Sequence, residues 1–178
     1  MNSAMCIRAA KIEDASGIAS VHVHSWQTTY VNIFPEEYLK RLDVSMREKW
    51  WTRVLSGGEG EHGVFVAEEN SSHIVGFASC GKERALQHPD YTGELYAIYI
   101  LQEYQRLGIG KQLWDACARW LIAHGHDSML AWVHPENTAC RFYESLGGEI
   151  VERKRERIAG EMHEVIAYGW KNLRKISL

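Results

Sequence analysis

The sequence predicts an α/β (α+β) domain: a central mixed, mostly antiparallel β-sheet of about seven strands flanked by helices. Three observations predict it. The 178 residues fit one domain, and 46% hydrophobic with 24% charged residues is ordinary globular composition. Apolar runs of strand length alternate with segments of helical periodicity, in the order β, helices, ββ, β-loop-α, β, α, ββ. No repeat, linker or composition break divides the chain, so residues 1–178 are expected to form a single domain.

Cys6 to Ala10 reads as a first strand, after which Asp14 is placed to cap a helix carrying Ile18, Val21, Ser25 and Trp26 toward one side. Pro35, Glu36 and Glu37 suit the first turn of a second helix reaching Leu42. Ser45 to Glu48 has capping-box spacing for a third helix, Trp50 to Leu55, stopped near Gly57-Gly58. After Gly60 the texture changes. Val64 to Ala67 and Ile74 to Ser79 are strand runs joined by the turn-rich Asn70-Ser71-Ser72. A polar stretch from Lys82 to Thr92 leads to a strand from Glu94 to Leu101. From Ile109, residues Leu113, Ala116, Cys117, Trp120 and Leu121 fall at helical spacing, and that helix ends near Gly125. Ser128 to Val133 is a strand, Glu136 to Leu146 a short helix stopped at Gly147-Gly148, and Glu149 to Ile158 with Glu161 to Trp170 a closing hairpin around Ala159-Gly160.

The formal charge of −3 gives no global field toward nucleic acid or membrane, so any polyanion must be met locally. The basic run Arg153 to Arg157 alternates with acids and reads as a solvated hairpin strand. No run approaches the ~20 apolar residues of a membrane helix, and no secretion signal opens the chain, so a cytoplasmic protein is expected. Cys6, Cys80, Cys117 and Cys140 are scattered among apolar neighbours and read as reduced, structural thiols. The closest histidine pairs, His22/His24 and His124/His126, lack the i, i+4 spacing of a helical zinc site, and no metal is expected.

Gln105-Arg106-Leu107-Gly108-Ile109-Gly110-Lys111 lies between a strand and a helix and is nearly stripped of bulky side chains. Backbone N–H groups at a helix start have no partner within the helix, and the dipole adds roughly half a positive charge there. An anion is the natural guest, although spaced glycines also serve as ordinary turns. The dinucleotide fingerprint would need glycine where Leu113 stands, and a Walker A loop would need Ser or Thr where Gln112 follows Lys111.

Three elements together resemble the GNAT superfamily of acyl-coenzyme A N-acyltransferases: Glu94-Leu95-Tyr96-Ala97-Ile98-Tyr99-Ile100, the Gln105 to Gly110 loop, and Asn137 to Gly148 with its Phe142-Tyr143-Glu144-Ser145-Leu146-Gly147-Gly148 run. The resemblance covers nearly the whole chain and implies an acetyl-CoA-dependent N-acetyltransferase. In it, Ile98, Tyr99 and Ile100 would present their strand to the pantetheine arm. The amides of Arg106, Leu107, Gly108, Ile109, Gly110 and Lys111 would cradle the diphosphate, with the Arg106 and Lys111 side chains adding charge. It further implies a main-chain N–H near Ile98 as oxyanion donor and Tyr143 as the acid that protonates the departing thiolate. A phenol of pKa about 10 suits that task; the lesser alternative is a helix tyrosine that packs beside Phe142.

The acceptor must attack as a neutral amine. A lysine-like amine of pKa about 10.4 is neutral about once in 2,500 molecules at pH 7, a handicap of roughly 4.6 kcal/mol, against about 1.4 for an α-amine near 8. Glu94 stands where the family often places a carboxylate base, or it is a strand-end acid in solvent or paired with Arg84. His22, His24, His134 and Glu164 are further candidates. One departure concerns Asn137: the family spaces asparagine and tyrosine by seven residues, and here Glu136 takes that place, so Asn137 either contacts the pantetheine arm or caps the helix. Trp26 and Tyr30, i and i+4, are candidates to line the pocket of a small amine or a peptide N-terminus. A noncatalytic acyl-CoA sensor is the alternative function, and homodimerisation is expected on family habit and edge-strand pairing.

Overall fold

A computed structural model describes residues 5–57, 62–70 and 73–176. Strands β1 (Met5–Ala9), β2 (His62–Glu69), β3 (His73–Lys82), β4 (Gly93–Ile100), β5 (Met129–Val133), β6 (Glu149–Ile158) and β7 (Glu161–Trp170) form one sheet in the order β1-β2-β3-β4-β5-β7-β6. Every neighbouring pair is antiparallel except β4 with β5. That parallel pair requires a crossover, which helix α4 (Ile109–Ala123) provides. The expected mixed, mostly antiparallel sheet of seven strands is therefore the one observed.

Helix α4 and the short α5 (Ala139–Ser145) cover one face of the sheet. Leu113, Trp114, Cys117 and Leu121 of α4 pack with Leu95, Ala131, Ile166 and Trp170 from the strands. The opposite face carries α1 (Ala15–Thr29) and α3 (Val44–Ser56), where Ile18, Val21 and Trp51 pack on Val66, Ile74 and Phe77. A five-residue helix α2 (Glu36–Lys40) seats Leu39 beside Tyr30 and Phe34. Cys80 and Cys117 are buried free thiols, Cys140 is half-buried and Cys6 is exposed.

Three helix starts differ from the sequence expectation. Helix α3 begins at Val44, because Asp43, not Ser45, caps it by accepting from the Met46 amide at 2.7 Å. Asp14 precedes α1 without capping it: its carboxylate takes the Arg8 guanidinium at 2.7 and 2.9 Å and the Lys11 amide at 2.7 Å, so its geometry serves the turn before the helix. Helix α5 starts at Ala139 rather than Glu136 because Asn137 donates its amide to the His134 carbonyl, and the chain turns before it can wind. The expected stop at Gly58, the boundary at Gly60 and the turn residues Ser71 and Ser72 lie outside the described residues.

Gly93 fixes where β4 and β5 meet. Its amide donates to the Ser128 carbonyl at 3.0 Å, and a Cβ there would lie 2.8 Å from that oxygen. Any side chain would wedge the two strands apart at their only closed end.

Candidate active site

The parallel pairing of β4 and β5 runs only from Gly93↔Met129 to Leu95↔Ala131, although β4 continues to Ile100 and β5 to Val133. A bulge turns β4 away at that point. On its other side the register jumps from Cys80↔Leu95 to Ser79↔Ala97, leaving Tyr96 unopposed. The strands therefore splay, and the main-chain groups of β4 that face β5 beyond Leu95 have no strand partner among the described residues. An extended polar chain entering the gap can take their place in the ladder.

Tyr96, Ile98 and Tyr99 of β4, Val133 of β5, and Tyr30, Asn137 and Tyr143 line the closed part of this gap, about 40 Å3 in volume. A broader depression of about 550 Å3 lies at the other end of β4, between His62, Lys82, Trp120 and His124. Size alone favours the broader one. The chemistry favours the gap, since only there does an ionisable hydroxyl meet open strand edge.

From the end of β4 the chain runs into the expected loop. Gln105 holds the exit by donating its side-chain amide to the Ile100 carbonyl at 3.0 Å. Arg106 (φ 65) and Gly108 (φ 80) are both left-handed, an alternation that turns successive N–H groups toward a common side. Glycine adopts that geometry freely; at Arg106 it carries strain, which is found where structure is held for function. The first helical hydrogen bond is Gln112 N–H to the Gly108 carbonyl, and the amides of 106 through 111 donate to no protein acceptor among the described residues. Ile109 is buried and anchors the loop, while Leu107 is exposed. Lys111 pairs with Asp115 at 2.7 Å, so its ammonium lies along the helix, and Arg106 is the loop cation without an ion-pair partner among the described residues. Six unpaired amides at a helix start, with one free guanidinium, fit a diphosphate.

Tyr143 projects from α5 into the gap, 5% exposed, against Tyr168 and Trp170 with ring centroids 5.7 Å away in each case. The supports are fixed: Tyr168 donates to Glu144 at 2.8 Å and Trp170 donates to the Leu146 carbonyl at 2.9 Å. Burial, followed by the nearby Tyr30, pushes the Tyr143 hydroxyl well above the usual phenol range, so it stays protonated at neutral pH. Its hydroxyl makes no protein hydrogen bond among the described residues. Asn137 also faces the gap: its Oδ1 accepts from the Ala139 amide at 2.9 Å, and its Nδ2 donates to the Tyr30 hydroxyl at 3.2 Å. Glu136 is exposed. The shortened spacing is thus absorbed at the helix start, and Asn137 takes the inward place.

Glu94 does not meet the expectation of a carboxylate open to the site. It is buried, its Oε2 accepts from the Arg84 amide at 3.0 Å, and its Oε1 accepts from the Arg84 guanidinium. Both oxygens are engaged and Glu94 is not among the residues lining the gap. Its visible role is to tie the 83–92 segment to β4. His24 is exposed and turned back on the Ser20 carbonyl, and Glu164 is taken by Arg153 at 2.9 Å. His22 is buried beneath Tyr99, with its Nδ1 accepting from Trp51 Nε1 at 3.3 Å.

Burial, with a smaller push from Arg47, lowers the His22 pKa to about 3. The unfolded imidazole binds a proton below its ordinary value near 6.5, whereas the folded one resists until about 3. Stability is therefore complete above pH 6.5 and falls between about 6.5 and 3, by a few kcal/mol from this one group. Urea midpoints at pH 7 and pH 4 check this: His22→Gln is expected to lose distinctly less between the two than the parent, and equal losses would refute it.

The sequence profile of the acetyltransferase (GNAT) family matches residues 21–148. The chain belongs to the GNAT family. YuaI of Bacillus subtilis, named an uncharacterized N-acetyltransferase, is 42% identical over 168 residues, spanning 94% of this chain and 93% of YuaI. Phosphinothricin N-acetyltransferase of Streptomyces viridochromogenes is 26% identical over 164 residues, 88% of this chain and 80% of that protein. Among solved structures, yncA of Salmonella typhimurium with its cofactor acetyl-CoA superposes with a TM-score of 0.72 at 24% identity, over 99% of this chain and 98% of that one. This GNAT protein is an N-acetyltransferase, and the sensor alternative is not favoured. No helix among the described residues is long and apolar enough to cross a membrane.

Two neighbours of this GNAT site escape sequence reading. Phe34 stacks on Tyr30 at 4.6 Å and presents its edge to His163 at 4.9 Å. Neither residue carries a local signal, since Phe34 sits in a loop before Pro35 and His163 in a strand of mixed polarity.

Proposed function

We propose that this enzyme acetylates the primary amine of a small molecule by direct attack on the thioester, with Tyr143 as the acid. The observation that carries the proposal is the Tyr143 hydroxyl, protonated and without a protein partner, opening onto the same gap whose β4 edge leads to the amide loop. Acetyl-CoA supplies an acetyl group activated as a thioester. The main chain of Ile98, Tyr99 and Ile100 holds the pantetheine arm, and the 106–111 amides with Arg106 hold the diphosphate. A backbone N–H near Ile98 polarises the acetyl carbonyl. Asn137, fixed by Ala139 and Tyr30, borders the acetyl end.

The aromatic ring cluster of Trp26, Tyr30, Phe34 and Tyr38 closes the acceptor side, which suits a small amine better than a peptide segment. The phosphinothricin enzyme, by its name, also acts on a small amine. Pairing of two copies along an edge strand of the sheet, β1 or β6, is proposed on family habit and on the ease with which open edges pair.

Calorimetric titration with acetyl-CoA, combined with a thiol-release assay over small amines, amino acids and peptides with free N-termini, tests the proposal. Micromolar binding with release driven by at least one small amine is the expected outcome. Release with peptides alone would refute the acceptor class, and binding without release on the whole panel would refute catalysis.

A further inference from the structure

No carboxylate or imidazole borders the gap among the described residues; its side-chain polarity comes from phenols, the Asn137 amide and the Trp132 indole. Four phenols line it: Tyr30, Tyr96, Tyr99 and Tyr143. Each hydroxyl has one proton to give, so where each proton goes decides what the gap can do. Tyr96 gives its own to the Lys82 carbonyl at 2.6 Å, outside the gap. Tyr143 is assigned above to the departing thiolate.

Tyr30 and Tyr99 are settled by the direction of their bonds. The Ala139 amide can only donate, so the Asn137 atom it bonds at 2.9 Å is Oδ1, and the atom 3.2 Å from the Tyr30 hydroxyl is the donor Nδ2. The Tyr30 oxygen is the acceptor in that bond, and its proton is not spent there. Beside the Tyr99 hydroxyl lie the Trp26 indole, which can only donate, and the Tyr30 hydroxyl, so Tyr99 gives its proton to the Tyr30 oxygen. Both lone pairs of Tyr30 are then filled. Its own proton points away from Asn137 and Tyr99, into the gap.

We propose that the Tyr30 hydroxyl is a second oxyanion donor, held on the acetyl carbonyl by Asn137. This rests on the proposed function, since it completes that reaction's oxyanion hole beside the main-chain N–H near Ile98. The closed part of the gap holds about 40 Å3, room for one small group, and Tyr30, Ile98, Asn137 and Tyr143 all border it, so a carbonyl seated there meets each of these walls. As the amine lone pair forms the new C–N bond, the carbonyl π pair moves onto oxygen, where the two donors meet it. When that pair returns, the C–S bond breaks, the thiolate takes the Tyr143 proton, and the amide nitrogen sheds its surplus proton to solvent. No proton passes to the oxygen, so Tyr30 ends the cycle as it began.

The same arrangement sets the donor's strength and its choice of partner. Burial raises the Tyr30 pKa, while the bonds received from Asn137 and Tyr99 oppose it. The hydroxyl stays protonated at neutral pH, and the two donors filling its oxygen polarise the O–H that remains. Filled lone pairs leave nothing for an ammonium to bond, so Tyr30 favours an acceptor oxygen over a cationic nitrogen. Its ring is fixed between Trp26, 4.8 Å away, and Phe34, 4.6 Å away. Tyr143 receives no such bonds among the described residues, so nothing holds its hydroxyl on the carbonyl.

The test is the carbonyl stretch of bound acetyl-CoA, isotope-labelled at the acetyl carbonyl carbon and read by infrared difference spectroscopy, with thiol release and coenzyme affinity measured on the same samples. In the parent the band is expected below that of free acetyl-CoA. Tyr30→Phe keeps the ring, and is expected to return the band part-way toward the free value and to lower kcat by about 100-fold, with affinity nearly unchanged. Asn137→Asp keeps every atom of Tyr30 but offers its hydroxyl an acceptor, so the proton turns out of the gap and the band should shift in the same direction. A packing role would leave the band alone. Either variant with the parent's band overturns the proposal and leaves the acetyltransferase function standing. A parent enzyme that releases no thiol with any amine overturns both.

Discussion

Replacing Tyr143 with Phe is expected to lower kcat by about 100-fold or more while acetyl-CoA binding stays nearly unchanged. The substitution removes one oxygen. The ring keeps its contacts with Phe142, Tyr168 and Trp170, so α5 and the walls of the gap stay in place. Since the hydroxyl bonds to no described protein atom, no buried partner is stranded by its loss, and thermal stability should hold. What disappears is the proton that the proposed mechanism gives to the thiolate; a 100-fold loss corresponds to about 2.7 kcal/mol of transition-state stabilisation. Steady-state thiol release and calorimetric titration of the same sample check it. Parallel loss of turnover and affinity would make Tyr143 a packing residue, and loss of neither would remove it from the mechanism.

The strands were legible because each is a local signal. Val64 to Ala67, Ile74 to Ser79 and the closing hairpin announce themselves by apolar runs and turn residues, and the observed strands extend them by a few residues at most ends. Their order was less legible. The second strand of the hairpin inserts beside β5 and pushes the first to the edge, and the reason is visible in composition. Val165 to Trp170 is apolar and buried, whereas the charged run from Glu152 to Arg157 suits an edge. Helix starts were misplaced where two cap signals overlap. Asp43 and Ser45 both satisfy the local rule, and only the observed Asp43 bond to Met46 decides between them.

The site divides along the same line. The amide loop lies within seven consecutive residues, so its chemistry could be argued from the chain alone. Glu94 was placed on the right strand and given two readings, and the partner that engages it, Arg84, lies only ten residues away. The acceptor side is another matter. Asn137 meets Tyr30 across a separation of 107 residues, and Phe34 meets His163 only because β7 lies beside β5. Sequence periodicity says which residues share a face of one element and is silent about which faces converge.

Trp114→Ala is expected to cost about 3–5 kcal/mol and lower the Tm by roughly 10 °C, the largest stability effect argued for this protein. Trp114 is fully buried in α4, with its ring centroid 5.5 Å from that of Trp170 on β7. Truncation leaves a cavity between the crossover helix and the sheet, at a site locked by strands on several sides. Its indole N–H, moreover, is buried without a hydrogen-bond partner. Trp114→Phe keeps most of the apolar volume and removes that unsatisfied donor, so its cost should be only about 1 kcal/mol. A Phe variant as unstable as the Ala variant would show that the N–H contributes. Helix α4 also begins at the amide loop proposed to hold the diphosphate, so the two properties can be separated by linkage. Acetyl-CoA at 100 times its Kd should return about 2.7 kcal/mol to parent and Ala variant alike if the helix keeps its position. A smaller return in the variant would mean that the helix has shifted and carried the loop with it, making Trp114 a determinant of coenzyme affinity as well as of stability.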